Sequence, residues 1–292
     1  MTQLGIIGGS GLYALPGVTV TETLSVETPF GRPSSPPRRV SVAGTEVIFI
    51  TRHGDGHIFS PSNLPYRANI YALKLLGVSH VLSISAVGSL RESLPPRSMV
   101  LPDQIIDRTV QRDRTFFERG IVAHVGIADP FCPVLRASIA ETASSIGVPL
   151  EIDGTYVCIE GPQFSTRAES RIYRSWGAHV IGMTAMPEAR LAREAELCYA
   201  TLALVTDYDV WHDSEEPVTV DFVLRHLQAN VIVAAKMIRA LASRPLPGRT
   251  CACGDALENA LITHPDQISP EVRARLGIVA HRYLEAPDPP AS

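Results

Sequence analysis

The sequence predicts an α/β fold, and three observations carry that prediction. Short apolar runs of strand length, at 4–7, 78–85 and 200–205, read as strands buried on both faces. Stretches with apolar residues at helical spacing, at 63–76, 133–146 and 218–241, fall between them. The two types alternate along the chain, which is the order of an α/β domain.

Composition bounds the rest. The 292 residues suit one large domain or two small ones, and an apolar fraction of 45% supplies a sizeable core. A formal charge of −4 with 19% charged residues argues against a nucleic-acid binder, which needs a basic face for phosphates. The opening residues have neither the basic region nor the cleavage site of a secretory signal, and no apolar run reaches membrane-spanning length. Five cysteines do not make a disulfide scaffold in a chain of this size. The expectation is a cytoplasmic protein.

The elements follow in order. The strand at 4–7 runs into Gly8-Gly9-Ser10-Gly11, where backbone N–H groups approach an anion closely and Ser10 adds a donor. Gly9-x-Gly11-x-x-Ala14 fits the dinucleotide fingerprint only loosely: Pro16-Gly17 leaves little room for the helix that motif requires, and no clean strand ends in an acid at the right distance. Strands are predicted at 19–26 and 40–51, joined by the proline-rich turn 29–37. The second ends in Arg52-His53-Gly54-Asp55-Gly56-His57. His53 and His57 have the spacing of helical metal ligands, but two glycines speak against a helix there. An Arg–His pair in a glycine loop suits an oxyanion: the guanidinium supplies a charged fork and the imidazole a second donor. The same Arg-His-Gly tripeptide occurs in histidine phosphatases, there expected on the first strand.

A helix is predicted over 63–76, ended by Gly77, and the strand at 78–85 is followed by an exit loop, 86–90, of small residues. Next come a strand at 99–106, a long polar loop over 107–119, and His124, of a kind more often structural than functional. A helix at 133–146 precedes a strand at 155–159. That strand leads through Gly161-Pro162 to Phe164 and to Ser165 or Thr166 as cap of a helix near Arg167. Gly182-Met183-Thr184 forms another strand exit, and Pro187 suits a first helical position. Glu188, Leu191, Ala192 and Ala195 share a helical face. The strand at 200–205 ends in Thr206-Asp207-Tyr208-Asp209, two carboxylates where open α/β sheets place ligands, although an isolated Asp there is more often a turn former. After the helix at 218–241, Pro245-Leu246-Pro247-Gly248 is a linker. Cys251-Ala252-Cys253 is too close for a relaxed disulfide and lacks the second ligand pair of a zinc site. Ser269-Pro270-Glu271 starts a last helix.

Taken together, the strand exits offer hydroxyls, an Arg and a His for a phosphate-sized anion, and two Asp with a Phe for a flat nitrogen heterocycle. The chemistry these sets suit is displacement by an anion at a carbon carrying such a heterocycle.

The segments GIIGGSGLY, RHGDGH, SAVGSLRE, IEGPQFSTRAES, GMTAMPEARLARE and VTDYDVW, in this order between residues 4 and about 240, resemble the trimeric purine nucleoside phosphorylase family, in its 5′-methylthioadenosine branch. The resemblance implies a nucleoside phosphorylase domain over 1–243 with a mixed, partly barrel-like sheet, and an extension over 244–292 packing on it. It implies phosphorolysis of 5′-methylthioadenosine to adenine and 5-methylthioribose 1-phosphate, with inorganic phosphate as co-substrate and no metal or organic cofactor. It implies a homotrimer, and the Cys-x-Cys tail resembles an extension of members that assemble as hexamers.

Carried over residue by residue, Ser10, Arg52, His53, Ser85, Ala86 and Thr184 would hold phosphate, and Met183 would lie against the ribose. Phe164 would pack on the purine and Ser165 would face its pyrimidine edge. Asp207 would serve N7, as a protonated carboxyl, and Asp209 the 6-amino group. His124 and Val220 would reach the 5′ end of a nucleoside in a neighbouring subunit. Asp207, Arg52 and His53 are the expected catalytic set. The 6-oxopurine branch carries Glu and Asn at the positions of Ser165 and Asp207, so this pair favours adenosines. Gln163 stands where the methylthioadenosine branch usually has Arg, and Gly182 where some relatives have Asn. The alternatives are a broad-specificity or 6-oxopurine phosphorylase and, more remotely, a non-catalytic nucleoside sensor.

Overall fold

The first strand, β1 (Leu4–Gly8), is buried throughout, and its side chains alternate between two apolar clusters, Ile7 on one face and Leu4 and Ile6 on the other. The structure is a computed structural model that describes residues 2–9, 18–212 and 220–284. β2 (Val18–Thr23), β3 (Arg38–Val42) and β4 (Thr45–Thr51) follow. The single strand predicted over 40–51 is a hairpin of β3 and β4. Ala43 and Gly44, with φ of 52° and 83°, form the two-residue loop that right-handed strand twist favours.

Helix α1 (Tyr66–Leu75) is closed by Gly77 at φ 78°. β5 (His80–Ser89) runs on through residues read from sequence as an exit loop. The strand predicted over 99–106 divides at Pro102 into β6 (Met99–Leu101) and β7 (Gln104–Arg108), since proline cannot donate to a ladder. α2 (Pro133–Ser145), β8 (Glu151–Ile152), β9 (Thr155–Ile159) and α3 (Arg167–Ser175) come next, the last opened by a capping box between Thr166 and Glu169. β10 (Val180–Gly182), α4 (Ala185–Glu194), β11 (Cys198–Asp207) and α5 (Val220–Ala242) complete the main body. Met186 is non-helical, so the regular part of α4 begins at Pro187. In the extension, α6 (Pro270–Leu276), capped by Ser269, is followed by a further short helix, α7 (His281–Leu284).

Among the described residues the strands form one mixed sheet in the order β2-β3-β4-β1-β5-β10-β9-β7, with β11, β6 and β8 joined to the other edge of β5. β5 is the branch point. Its first half pairs in parallel with β1, its end pairs antiparallel with β10, and β11 runs parallel beside most of its length. β4, β1, β5 and β11 therefore point the same way and deliver their C-terminal ends to one region.

Helices cover both faces, as strands apolar on both sides require. Ile70 and Leu73 of α1 and Leu191 and Ala192 of α4 close one face; Leu135 and Ile139 of α2 and Ile238 and Leu241 of α5 close the other. The extension adds Leu257, Ile268, Val272 and Leu276 to the first cluster. Among the described residues no helix is long and apolar enough to cross a membrane.

Candidate active site

A cavity of about 330 Å³ opens where the strand ends converge. It is lined by Arg52 and His53 after β4, by Ser85, Ala86 and Gly88 of β5, by Phe164 and Ser165 after β9, by Met183 and Thr184 after β10, and by Thr206, Asp207 and Asp209 at the end of β11. The structure thus brings together ten residues proposed from sequence. Ser10 and the side chain of Val220 lie outside the described residues. His124 does not line the cavity; its backbone N–H donates to Ala260 O at 2.9 Å.

One end of the cavity carries hydroxyls. Ser85 Oγ lies 3.2 Å from Thr184 Oγ1 and 3.2 Å from the phenol of Tyr156, a residue that sequence reasoning missed. Tyr156 is fully buried, and burial pushes its phenol up, so it stays protonated as a donor. A Cβ on Gly182 would collide with that hydroxyl. The glycine at this departure from the family pattern is therefore tied to the tyrosine beneath it.

Arg52 and His53 differ from their expected roles in a physically explicable way. The Arg52 fork is closed on Glu188, with Nε donating to Oε1 at 2.6 Å and Nη2 to Oε2 at 3.2 Å. Nη2 also donates to Ser83 Oγ at 2.5 Å, and Nη1 to Ile84 O at 2.7 Å. Among the described residues these bonds use four of the five guanidinium hydrogens and leave one for a ligand, and the charge is balanced by Glu188. Glu188 is completely buried and also accepts from Ser83 Oγ and Tyr199 Oη, both at 2.9 Å. A carboxylate on the apolar face of a helix was the available signal for this pair, because buried acids are paired.

His53 is placed by Nδ1, 2.9 Å from Phe59 O. A carbonyl only accepts, so Nδ1 bears the proton and Nε2 of the neutral ring is an acceptor. Burial lowers the pKa to about 4, with Arg52 and His57 adding like charge. The second donor expected from sequence exists only when the ring takes up a proton together with an anion. His57 stacks on His53 at 4.2 Å.

The other end is acidic. Asp207, 6% exposed, accepts from Asp209 N–H at 2.8 Å and from Thr206 Oγ1 at 2.7 Å. Burial raises its pKa despite these bonds. Asp209 is pushed up to about 6 by burial and by the charge of Asp207. Asp209 Oδ2 and Ser165 Oγ are buried beside this cavity with no hydrogen-bond partner among the described residues. Unpaired buried polar atoms are costly, and their place here is that of ligand contacts. Gly88 makes room for the carboxyl: a Cβ there would stand 2.8 Å from Asp207 Oδ1. Phe164, 48% exposed, offers a ring face at the mouth.

A second buried cation, also missed from sequence, frames the middle. Arg112 donates from Nη1 to Met183 O and Met186 O, each at 2.6 Å, and from Nη2 to Glu160 O at 2.5 Å. Its Nε donates to Glu160 Oε1 at 3.1 Å. One side chain thus fixes the backbone after β9 to the backbone after β10.

The phosphorylase superfamily model matches residues 3–243. The chain belongs to the phosphorylase superfamily. It is 49% identical over 282 residues to an S-methyl-5′-thioadenosine phosphorylase of Koribacter versatilis, with 97% of each chain covered. Among solved structures, it matches a methylthioadenosine phosphorylase from an Antarctic soil metagenomic library with a TM-score of 0.89 and 47% identity, covering 95% of this chain and 98% of that one. The methylthioadenosine phosphorylase of Schistosoma mansoni in complex with adenine matches with a TM-score of 0.79 and 35% identity, over 83% of this chain and 91% of that one. The branch resembled by the sequence motifs is thereby shown. The mixed α/β sheet is that of this superfamily, and the superfamily match spans every strand and every cavity-lining residue described above.

Proposed function

We propose that this chain catalyses phosphorolysis of 5′-methylthioadenosine, or of an adenosine closely related at the 5′ position, to adenine and the corresponding ribose 1-phosphate. The observation that carries the reading is one cavity with two chemically opposed ends: hydroxyls and one guanidinium hydrogen for an anion, and paired carboxyls with an unsatisfied serine for a base bearing N–H groups. The names of the relatives support the same substrate.

Phosphate sits among Ser85, Thr184 and the backbone at Ala86, with Ser10 as a further ligand. Arg52 gives one N–H, and its bond to Ile84 O steadies the strand that carries Ser85. His53 Nε2 accepts from a P–OH, and as the anion loses that proton the imidazolium formed becomes a donor to it. The held anion lies in line with C1′, where positive charge develops as the glycosidic bond breaks. Met183 packs on the ribose. Asp207, whose protonated form burial favours, donates to N7 as the base becomes more basic. Asp209 and Ser165 take the 6-amino group and the pyrimidine edge against Phe164. A 6-oxo group facing the Asp209 carboxylate leaves an acceptor unpaired, at a cost of about 1–3 kcal/mol.

His124 serves a neighbouring subunit in this reading. Its surroundings support that placement: Val122 and Ile262 are exposed beside it at 47% and 61%, a patch suited to a subunit contact in a trimer. The test of base preference is the ratio of kcat/KM for adenosine to that for inosine, two nucleosides that differ only in the 6-substituent. A ratio of about ten or more agrees with the cost above, and a ratio below one overturns the assignment of Ser165 and Asp207.

A further inference from the structure

Four of the five cysteines meet at one point remote from the cavity. Cys132 precedes α2, Cys198 opens β11, and Cys251 and Cys253 belong to the extension. Their sulfurs all lie within 4.8 Å of one another, with Cys251 Sγ 3.5 Å from both Cys132 Sγ and Cys198 Sγ. All four are free thiols, three buried and Cys251 half-buried. The second ligand pair that Cys251-x-Cys253 lacks in its own sequence neighbourhood is supplied by the main body.

We propose that Cys132, Cys198, Cys251 and Cys253 bind one Zn²⁺ in a closed tetrahedral site that clamps the extension onto the sheet.

The geometry matches the metal. Zinc–thiolate bonds of about 2.3 Å place the corners of a tetrahedron about 3.8 Å apart. The observed sulfur spacing of 3.5 Å, within an outer limit of 4.8 Å, is that of such corners, whereas a disulfide needs its sulfurs at about 2.05 Å. The surroundings fit thiolates as well. Leu135 N–H donates to Cys132 Sγ at 3.4 Å, and Arg193 Nη1 donates to Cys253 Sγ at 3.4 Å. An N–H donor and a guanidinium at the sulfurs offset the two negative charges of a Zn²⁺ held by four thiolates and fix their orientation. Uptake of the ion releases the thiol protons to solvent and requires no oxidant. Four protein ligands leave no open coordination position, so the site is structural and takes no part in the cavity chemistry.

The test uses the full chain, purified in reductant without chelator. Elemental analysis is expected to return one Zn²⁺ per chain. Metal-free protein titrated with Co²⁺ is expected to develop the thiolate charge-transfer band and the intense d–d bands of a tetrahedral four-sulfur site, saturating at one equivalent. Cys251→Ser, at the most accessible ligand, is expected to weaken Zn²⁺ binding by about tenfold or more. It should lower Tm in zinc-containing buffer while leaving Tm in chelator close to that of the native chain. A chain with no zinc that gives no charge-transfer band with Co²⁺ would overturn the proposal. So would an unreduced mass showing bridges within the set together with absence of metal.

Discussion

Replacing Asp207 by Asn separates the two things this side chain is proposed to do. Oδ1 and Oδ2 each accept one bond, from Asp209 N–H at 2.8 Å and Thr206 Oγ1 at 2.7 Å. An amide keeps the first and reverses the second, which the hydroxyl accommodates by rotating. The amide also still donates to N7, so ground-state binding changes by no more than about one hydrogen bond, near 1 kcal/mol or roughly fivefold in KM. What it loses is the acid: proton donation by a positioned group contributes about 10²–10⁴-fold. The expected outcome of D207N is therefore a fall in kcat for 5′-methylthioadenosine of about a hundredfold or more, with Tm nearly unchanged. The pH profile carries the sharper signature. Burial raises the pKa of Asp207, so its acid form is present at low pH and lost as pH rises through that raised value. The native enzyme loses kcat along that limb, and D207N does not. The assay is adenine release followed from about pH 5 to 9 in both proteins, a window that spans the operating range of a tuned acid. A kcat for D207N within about threefold of native would refute the acid role.

Three further outcomes follow from buried groups. Glu188→Gln leaves the Arg52 guanidinium uncompensated in a fully buried place and should cost about 3–5 kcal/mol in denaturant unfolding, with a raised KM for phosphate. Arg112→Lys cannot reproduce the fork that ties Met183 O and Met186 O to Glu160, and is expected to raise KM for the nucleoside by about tenfold or more, against a smaller change for phosphate; steady-state kinetics at saturating co-substrate decide it. Burial pushes Glu194 up to about 7, above its ordinary value of 4.5, so its stabilising contribution is complete below pH 4.5 and is lost as pH rises through 7. Glu194→Gln keeps the bond accepted from Phe116 N–H, so its Tm should equal that of native at about pH 4.5 and exceed it at about pH 8, by the equivalent of about 3 kcal/mol or less.

What is legible in the sequence is local. The strand predicted at 155–159 is β9, and the helix predicted at 133–146 is α2 within a residue, because unbroken apolar runs and a proline at the helix start are sufficient signals. The misreadings are local in origin too. Ala43-Gly44 hides inside an apolar run although both residues adopt positive φ, and Pro102 breaks what reads as one strand. Gly88 and its neighbours look like a loop, whereas β5 continues there and the glycine serves the carboxyl of Asp207.

The site shows the same division. Thr184, Phe164, Ser165, Asp207 and Asp209 announce themselves because each stands at or just past a strand end, where side chains leave the ladder toward a ligand, and Ser85 because its apolar run ends there although β5 continues to Ser89. Their supports do not, because support is a long-range pairing. Arg52 looks like an anion fork until Glu188 is placed against it, and Arg112 sits in a loop with no local pattern to mark its acceptors after two distant strands. Cys132 and Cys198 are ordinary apolar-run residues in sequence and acquire meaning only when the extension brings Cys251 and Cys253 to them.

The central claim is that phosphate, and not water, displaces the base in the cavity between Ser85, Thr184 and Asp207. The most direct measurement is phosphorus NMR of the reaction with 5′-methylthioadenosine, with adenine quantified in the same tube. A sugar phosphate appearing mole for mole with adenine, and no adenine release when phosphate is omitted, is the predicted result. Adenine released at the same rate without phosphate, with inorganic phosphate unchanged, would contradict it.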